Sequence, residues 1–211
     1  MKAFILSSSP RRNGNSAMLA EAARDGLLSA GHTVDFVYAD DMVAAFLRDC
    51  RQCRTADGEC SIEDNFRAVF FEKFLPADGL IAATPIYWYG VSAQLKAFFD
   101  RSFCYYAAAY PRAGDVIEGM KGKRIGLLLS SEETFPMVSG GIVSQIQEYA
   151  RYTRGSFAGV VHGIGNARGD VVRDPNDPVG AARRFGETFF TRHVSDYQID
   201  TPRAGKVWAP T

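Results

Sequence analysis

The 211-residue sequence has no net formal charge, no long apolar run and few cysteines. Because 24 Lys and Arg residues balance 24 Asp and Glu residues, the composition gives no electrostatic reason to expect nucleic acid or an anionic membrane as a partner. No apolar run approaches the roughly 20 residues that a membrane-spanning helix needs. The run at residues 3–6 is too short for a signal-peptide core, and four cysteines do not make a disulfide scaffold. We therefore expect a cytoplasmic protein with no membrane or nucleic-acid partner.

Several catalytic motifs are also missing. The three histidines share no spacing with one another or with acidic residues, so no Ser-His-Asp or paired-carboxylate site can be argued. No glycine-lysine-Ser/Thr sequence closes a Walker loop, and the glycine triplet of a dinucleotide fingerprint is absent. The run Gly163-Ile164-Gly165 does not open a helix at the right distance, and we interpret its glycines as allowing a tight turn or close backbone approach.

What the sequence contains is a regular alternation of strand and helix patterns. Apolar runs predict strands at 3–6, 33–38, 79–84, 124–129 and 157–161, and helical spacing predicts helices at about 16–30, 66–74, 91–103, 140–154 and 179–194. Five strand–helix units predict an α/β domain whose parallel sheet is covered by helices on both faces. This domain takes in residues 1–194. Residues 195–211 read as a C-terminal tail, whose Trp208 we expect to pack on this domain or on a partner subunit.

The loop after the first strand suits a phosphate monoester. Ligands of an open parallel sheet bind beyond the carboxyl ends of its strands. Residues 7–16 (SSSPRRNGNS) bring hydroxyls, amides, a glycine and two arginines to the start of a helix, where free N–H groups and the helix dipole favour an anion. The alternative is a polar loop in which Asn15 or Ser16 only caps the helix.

Two further loops suit a flat ring. Residues 84–90 (TPIYWYG) place three aromatics between a proline and a glycine, as a planar heteroaromatic ligand requires. The alternative is an aromatic cluster that seals the sheet or forms a dimer contact. Residues 130–134 (SSEET) offer hydroxyls that can complete a ring site, although the two glutamates can equally lie at a solvated edge.

Together these loops resemble those of the NADPH-dependent FMN reductase family of flavodoxin-like proteins, which is related to iron–sulfur flavoproteins and NAD(P)H:quinone reductases. The motifs that carry the resemblance are SPRRNGNS at 9–16, TPIYWYG at 84–90 with QLKAFFDR at 94–101, and GDV at 169–171. The resemblance runs from residue 1 to about 194. It implies a flavodoxin-like three-layer sandwich with a five-stranded sheet of order 2-1-3-4-5, bound FMN, NADPH or NADH as co-substrate, and a homodimer or homotetramer.

The resemblance also implies a set of site residues. The phosphate would be held by Ser9, Arg11, Asn13, Asn15 and Ser16. The isoalloxazine ring would be lined by Pro85, Ile86, Tyr87, Trp88 and Gly90, with Ser130 and Glu132 completing the ring site.

The implied activity is an oxidoreductase that passes a hydride from NAD(P)H through FMN to a small acceptor, such as a quinone or free flavin. The cofactor performs the chemistry, so no catalytic side chain is required. One alternative is a flavodoxin-like one-electron carrier that docks protein partners, but such carriers usually present an acidic surface. Another is a protein of this fold that has lost its cofactor, which the intact-looking phosphate loop disfavours.

Three cysteines form the pattern C-x2-C-x6-C at Cys50, Cys53 and Cys60. An iron–sulfur cluster needs four thiolates, whereas Ala56 stands where a third close cysteine would lie and Cys104 is far along the chain. A zinc site also lacks a fourth ligand. A redox C-x-x-C is the remaining alternative, although this one does not open a helix after a strand as a thioredoxin-type motif does. We predict ordinary thiols packed under a loop and no metal site.

Overall fold

A computed structural model describes residues 1–49, 52 and 54–192 of the chain. Its centre is a five-stranded parallel sheet of order β2-β1-β3-β4-β5. The strands are β1 (Lys2–Ser7), β2 (Thr33–Tyr38), β3 (Gly79–Pro85), β4 (Arg124–Ser131) and β5 (Ser156–Ile164). The predicted fold class and strand order are confirmed.

Six α-helices cover the sheet in the described ranges. They are α1 (Asn15–Ser29), α2 (Phe66–Val69), α3 (Ala93–Tyr106), α4 (Ala113–Met120), α5 (Gly140–Tyr152) and α6 (Pro178–Thr188). Helix α2 continues as a π-helical turn over Phe70–Phe74, and short 3₁₀ turns lie at Ala39–Asp41, Pro136–Ser139 and Asp170–Arg173. None of these helices is long and apolar enough to cross a membrane.

Several boundaries differ from the predicted ones. Helix α4 was not predicted. Its eight residues include the poor helix formers Gly114 and Gly119, and the stretch is too short to show a clear helical repeat of apolar residues. Helix α6 ends at Thr188, six residues earlier than predicted. The predicted tail, with Trp208, and the cysteines at 50 and 53 lie outside the described residues. Of the other two cysteines, Cys60 is half-buried and Cys104 is buried.

The two faces of the sheet have different cores. On one face, large aromatic rings pack beneath α2 and α3, with Phe74 and Phe98 centroids 5.0 Å apart and Phe70 and Tyr105 centroids 4.9 Å apart. On the other face, α1 and α6 contact each other through small residues: Gly26 of α1 abuts the backbone of α6, and Gly186 of α6 abuts the backbone of α1. The small residues allow the two helix axes to approach closely.

A buried ion pair holds two parts of the segment that precedes α2, around Ala44 and around Asp64. Arg101 of α3 is 1% exposed and binds both carboxylate oxygens of Asp64. The same carboxylate accepts the N–H groups of Ala44 and Phe66, at 2.9 and 3.1 Å. Burial alone would raise the pKa of Asp64, but these hydrogen bonds and the guanidinium hold it below its ordinary value. The pair therefore ties Ala44, Asp64 and Phe66 to α3.

Replacing Gly26 with Ala should destabilise the protein, although alanine is the better helix former. A Cβ at this position would overlap the carbonyl oxygen of Arg183 and force α1 and α6 apart. We expect a loss of about 2 kcal/mol or more in the free energy of unfolding, measured by urea titration.

The matched control is Gly114→Ala in α4, where a Cβ would meet no atom within 4 Å. This variant should gain about 0.5 kcal/mol. Equal effects of the two substitutions would contradict a close α1–α6 contact.

Candidate functional site

The carboxyl ends of four strands surround a polar cavity of about 390 Å³. Its lining residues are Ser9, Arg11, Gly14, Asn15, Ser16, Pro85, Ile86, Tyr87, Ser130, Ser131, Glu132, Glu133, Gly165, Asn166 and Arg168. Nine of the twelve predicted site residues are among them. The other three, Asn13, Trp88 and Gly90, do not line the cavity.

A second cavity of about 480 Å³ lies between α3 and α5, away from the strand ends. Its walls are mainly aromatic, including Phe99, Phe103 and Tyr149. The charged residues at its rim, Lys96 and Asp100, pair with each other at 2.5 Å. The polar cavity is the better candidate, because it lies where ligands of parallel sheets bind and several loops contribute to it.

The loop between β1 and α1 forms a tight turn around Ser9. Its hydroxyl oxygen accepts the N–H of Arg11 at 3.2 Å, and the N–H of Gly14 donates to the Arg11 carbonyl at 2.9 Å. A Cβ at Gly14 would lie only 3.0 Å from that carbonyl oxygen, so the turn favours glycine. Because Gly14 precedes α1 and has no side chain to cap it, the first N–H groups of α1 remain available to an anion.

Asn15 joins the start of α1 to the segment after β5. Its amide nitrogen donates to the carbonyls of Gly165 and Ala167 at 2.9 and 3.1 Å, and its amide oxygen accepts the N–H of Val171 at 3.2 Å. These bonds occupy the side chain that was expected to hold a phosphate. The Asn15 side chain thus fixes the geometry of the loops, and its backbone N–H is what remains for a ligand.

The two neighbouring arginines have different environments. Arg11 lines the cavity, and within the described part of the chain its side chain has no hydrogen-bond or ion-pair partner. Arg12 instead pairs with Asp41 at 2.5 Å and lies over the Tyr38 ring, 4.3 Å from its centroid. Arg11 is therefore the cation of this loop that can meet a ligand.

The aromatic loop contains a two-residue turn. Tyr87 and Gly90 exchange backbone hydrogen bonds, both 3.0 Å long, across Trp88 and Tyr89. The φ angles of Trp88 and Tyr89 are +49° and +60°, as in a type I′ turn. Tyr87 lines the cavity, whereas Trp88 at the tip is 97% exposed. The ring of Tyr89 contacts that of Phe135, with centroids 6.0 Å apart.

Buried serines at the base of the cavity loops join these loops through hydrogen bonds. The hydroxyls of Ser16 and Ser130 lie 2.7 Å apart, and the N–H of Ile86 donates to the Ser130 carbonyl at 2.8 Å. The hydroxyl oxygen of Ser92, which caps α3, lies 2.9 and 3.1 Å from the hydroxyl and carbonyl oxygens of Ser8 and shares its one hydrogen with them. The loops after β1, β3 and β4 are therefore tied to one another.

Six lining residues were not predicted: Gly14, Ser131, Glu133, Gly165, Asn166 and Arg168. The first three belong to loops that were predicted. The last three belong to the loop after β5, which the prediction did not include. The signal was in the topology, because a fifth parallel strand must end at the same edge as the others.

The half-buried His162 lies beside this cavity wall. It belongs to β5, and its Nε2 lies 2.8 Å from the Ser131 hydroxyl oxygen. Burial lowers the pKa of His162 below its ordinary value of 6.5, although the nearby Asp174 carboxylate opposes this shift. The folded protein therefore holds His162 in its neutral form near pH 7.

Comparison with known proteins agrees with this geometry. The family model of the flavodoxin-like fold matches residues 1–161, which is more than half of the chain. The chain belongs to this flavodoxin-like family. The resemblance that the sequence motifs predicted is thereby confirmed at the level of the family.

Relatives of this flavodoxin-like protein include redox proteins. It is 29% identical over 186 residues to a Bacillus subtilis (strain 168) protein named as an NAD(P)H-dependent FMN-containing oxidoreductase, covering 88% of this chain and 96% of the relative. It is 35% identical over 102 residues to an iron–sulfur flavoprotein of Methanocaldococcus jannaschii, covering 48% of this chain and 52% of the relative. The match thus spans about half the length of that flavoprotein.

A solved structure supports the fold. The NAD(P)H:quinone oxidoreductase from Methanothermobacter marburgensis superposes on this flavodoxin-like chain with a TM-score of 0.68. The two are 20% identical, and the superposition covers 93% of this chain and 99% of the other.

Replacing His162 with Gln should reduce the loss of stability in acid. The unfolded chain protonates this imidazole near pH 6.5, and the folded protein does so only at lower pH. Between these values the unfolded state binds more protons, so the free energy of unfolding falls as the solution is acidified. Urea titrations between about pH 7 and pH 5 should show a smaller fall for H162Q than for the parent. An identical fall in both proteins would contradict the lowered pKa.

Proposed function

We propose that this protein is an FMN-dependent NAD(P)H oxidoreductase that passes a hydride from nicotinamide through bound FMN to a small acceptor, such as a quinone or free flavin. The observation that carries the proposal is the cavity at the strand ends, which combines an anion-binding loop with an apolar loop edge. The relative named as an NAD(P)H-dependent FMN-containing oxidoreductase, which matches most of this chain, also supports it.

The residues of the β1–α1 loop fit the phosphate of FMN. The uncapped N–H groups of α1 and the positive end of its dipole favour an anion, and Arg11 adds a cation at the same loop. The Ser9 hydroxyl accepts one bond from Arg11 and still has a hydrogen to donate. Ser9, Arg11 and the backbone N–H groups of Asn15 and Ser16 would therefore hold the phosphate.

The loops after β3 and β4 fit a flat, partly polar ring. Pro85, Ile86 and the ring of Tyr87 line the cavity and would supply the apolar wall. Hydroxyl and backbone groups of residues 130–132 would supply the polar contacts. Sites for heteroaromatic ligands commonly combine such a wall with a few fixed polar groups.

When bound, FMN supplies the chemistry of accepting and donating a hydride. The chain's own task is to bind the cofactor, orient it and leave one side of it accessible. Tyr87 is 46% exposed, so the apolar wall of the cavity is open to a flat substrate. The balance of 24 basic and 24 acidic residues gives no acidic field for docking a protein partner, which favours an enzyme over an electron carrier. Homo-oligomerisation and a cytoplasmic location stay predictions.

Replacing Arg11 with Ala should weaken FMN binding, because a charge-assisted contact to the phosphate is lost. A hydrogen bond to a charged group contributes about 1.5–3 kcal/mol, so the Kd should rise about 10- to 100-fold. Quenching of flavin fluorescence on titration with apoprotein measures this Kd. Riboflavin has no phosphate, so its Kd should be unchanged by the same substitution.

Arg12→Ala is the matched control, since it removes the same charge from the next residue. The Arg12 side chain is engaged by Asp41 and Tyr38 and does not line the cavity. Its Kd for FMN should change by less than about threefold. If R11A binds FMN as tightly as R12A, the phosphate assignment is wrong.

Kinetics should distinguish an enzyme from a carrier. NADPH or NADH should reduce the bound flavin under anaerobic conditions, and steady-state oxidation with a quinone should give parallel double-reciprocal lines. If neither NADPH nor NADH reduces the bound flavin, and a chemical reductant gives a stable one-electron-reduced flavin, the electron-carrier alternative is favoured. Absence of any flavin binding would favour a protein that has lost its cofactor.

A further inference from the structure

A directed chain of hydrogen bonds runs from β5 into the cavity wall. His162 Nε2 lies 2.8 Å from the Ser131 hydroxyl oxygen, which also lies 2.8 Å from the carbonyl oxygen of Glu133. A hydroxyl has one hydrogen, and Ser131 donates it to the Glu133 carbonyl. The Ser131 oxygen must therefore accept the hydrogen on His162 Nε2. His162 thus donates to Ser131, and Ser131 donates to the carbonyl of Glu133.

These two hydrogen bonds determine the backbone geometry of the segment that follows β4. Ser131 is the last residue of β4 and is 5% exposed, whereas Glu132 is exposed at the cavity. The Ser131–Glu133 bond spans only two residues and bends the segment at the point where it becomes part of the cavity wall. Without the bond from His162, the Ser131 hydroxyl could rotate toward other acceptors and release this bend.

His162 itself is well placed to hold the segment. It does not line the cavity, and it pairs in register with Leu129 near the carboxyl end of the β4–β5 ladder. The neighbouring Asp174 accepts the N–H of Ile164 at 2.7 Å, which fixes the end of β5. The N–H groups of Ile86 and Gly165 already hold the carbonyls of Ser130 and Ser131, both at 2.8 Å, so the bond from His162 adds a side-chain constraint where the strand ends.

We propose that His162 is a positioning residue for the ring-binding part of the cavity. Acting through Ser131, it holds the backbone of residues 131–133 in the geometry that receives the flavin ring. The inference rests on the proposed function, since it names the ring as the group that this wall contacts. His162 touches neither the ring nor the phosphate.

The test compares H162A, H162Q, S131A and the double variant H162A/S131A. H162A should raise the Kd of FMN about tenfold, and that of riboflavin by the same factor, because the affected wall meets the ring and not the phosphate. H162Q should restore the Kd to within about threefold of the parent, since its side-chain N–H can donate to Ser131. The double variant should bind no more weakly than S131A alone, because both substitutions break the same chain. Urea titration of each variant verifies that it is folded under the assay conditions.

Several outcomes would overturn the proposal. These are an unchanged Kd in H162A, an effect on FMN that riboflavin does not share, a failure of H162Q to restore binding, or additive losses in the double variant. A parent protein that binds neither FMN nor riboflavin would instead overturn the proposed function. Flavin binding by the parent with no effect of H162A would contradict the positioning role alone.

Discussion

The common direction of the five strands is the constraint on which the site depends. Because the sheet is entirely parallel, the segment after every strand starts at one edge, and residues far apart in sequence meet there. The contact between Asn15 and Gly165 joins residues 150 positions apart. Helices cover both faces of the sheet, through an aromatic core on one side and a close α1–α6 contact on the other. A ligand therefore reaches the sheet at this edge, and the loops there determine what can bind.

Several polar side chains at this edge form hydrogen bonds that hold other parts of the protein in place. The side-chain amide of Asn15 forms hydrogen bonds with three backbone groups, and the hydroxyls of Ser16 and Ser130 are hydrogen-bonded to each other. In the β1–α1 loop, the groups left for an anion are backbone N–H groups, the Ser9 hydroxyl and the Arg11 guanidinium, while Arg12 is held by Asp41. Side chains that hold the loops in place preorganise the donors that remain for a ligand, and preorganised donors lose little entropy when the ligand binds. A polar residue in a predicted ligand loop therefore need not contact the ligand, and here the structure distinguishes the side chains that hold the loops from those that face the cavity.

The sequence predicted the sheet better than it predicted the site's details. Buried central strands such as β3 are continuous apolar runs, and β2 alternates because it lies at an edge, so both were visible in the sequence. Helix α4 and the π-helical turn after α2 depend on packing that a short window of sequence does not carry. Motifs located the loops after β1, β3 and β4, but they did not show that the Asn15 side chain was already engaged. That Arg168 lines the cavity was not predicted, because no motif marks it and only the topology of the sheet indicates that the loop after β5 reaches this edge.

The turn at Trp88 and Tyr89 shows why the composition of a loop does not identify the ring that faces a ligand. A two-residue turn reverses the chain, and the side chains at its tip project away from the strand end that it follows. Left-handed backbone costs a non-glycine residue about 1–2 kcal/mol, and both tip residues adopt it. The paired backbone bonds between Tyr87 and Gly90 and the packing of Tyr89 against Phe135 help to offset that cost. The result keeps Tyr87 at the cavity and leaves the Trp88 indole in solvent. The turn type, and not the number of aromatics, decides which residue forms the wall.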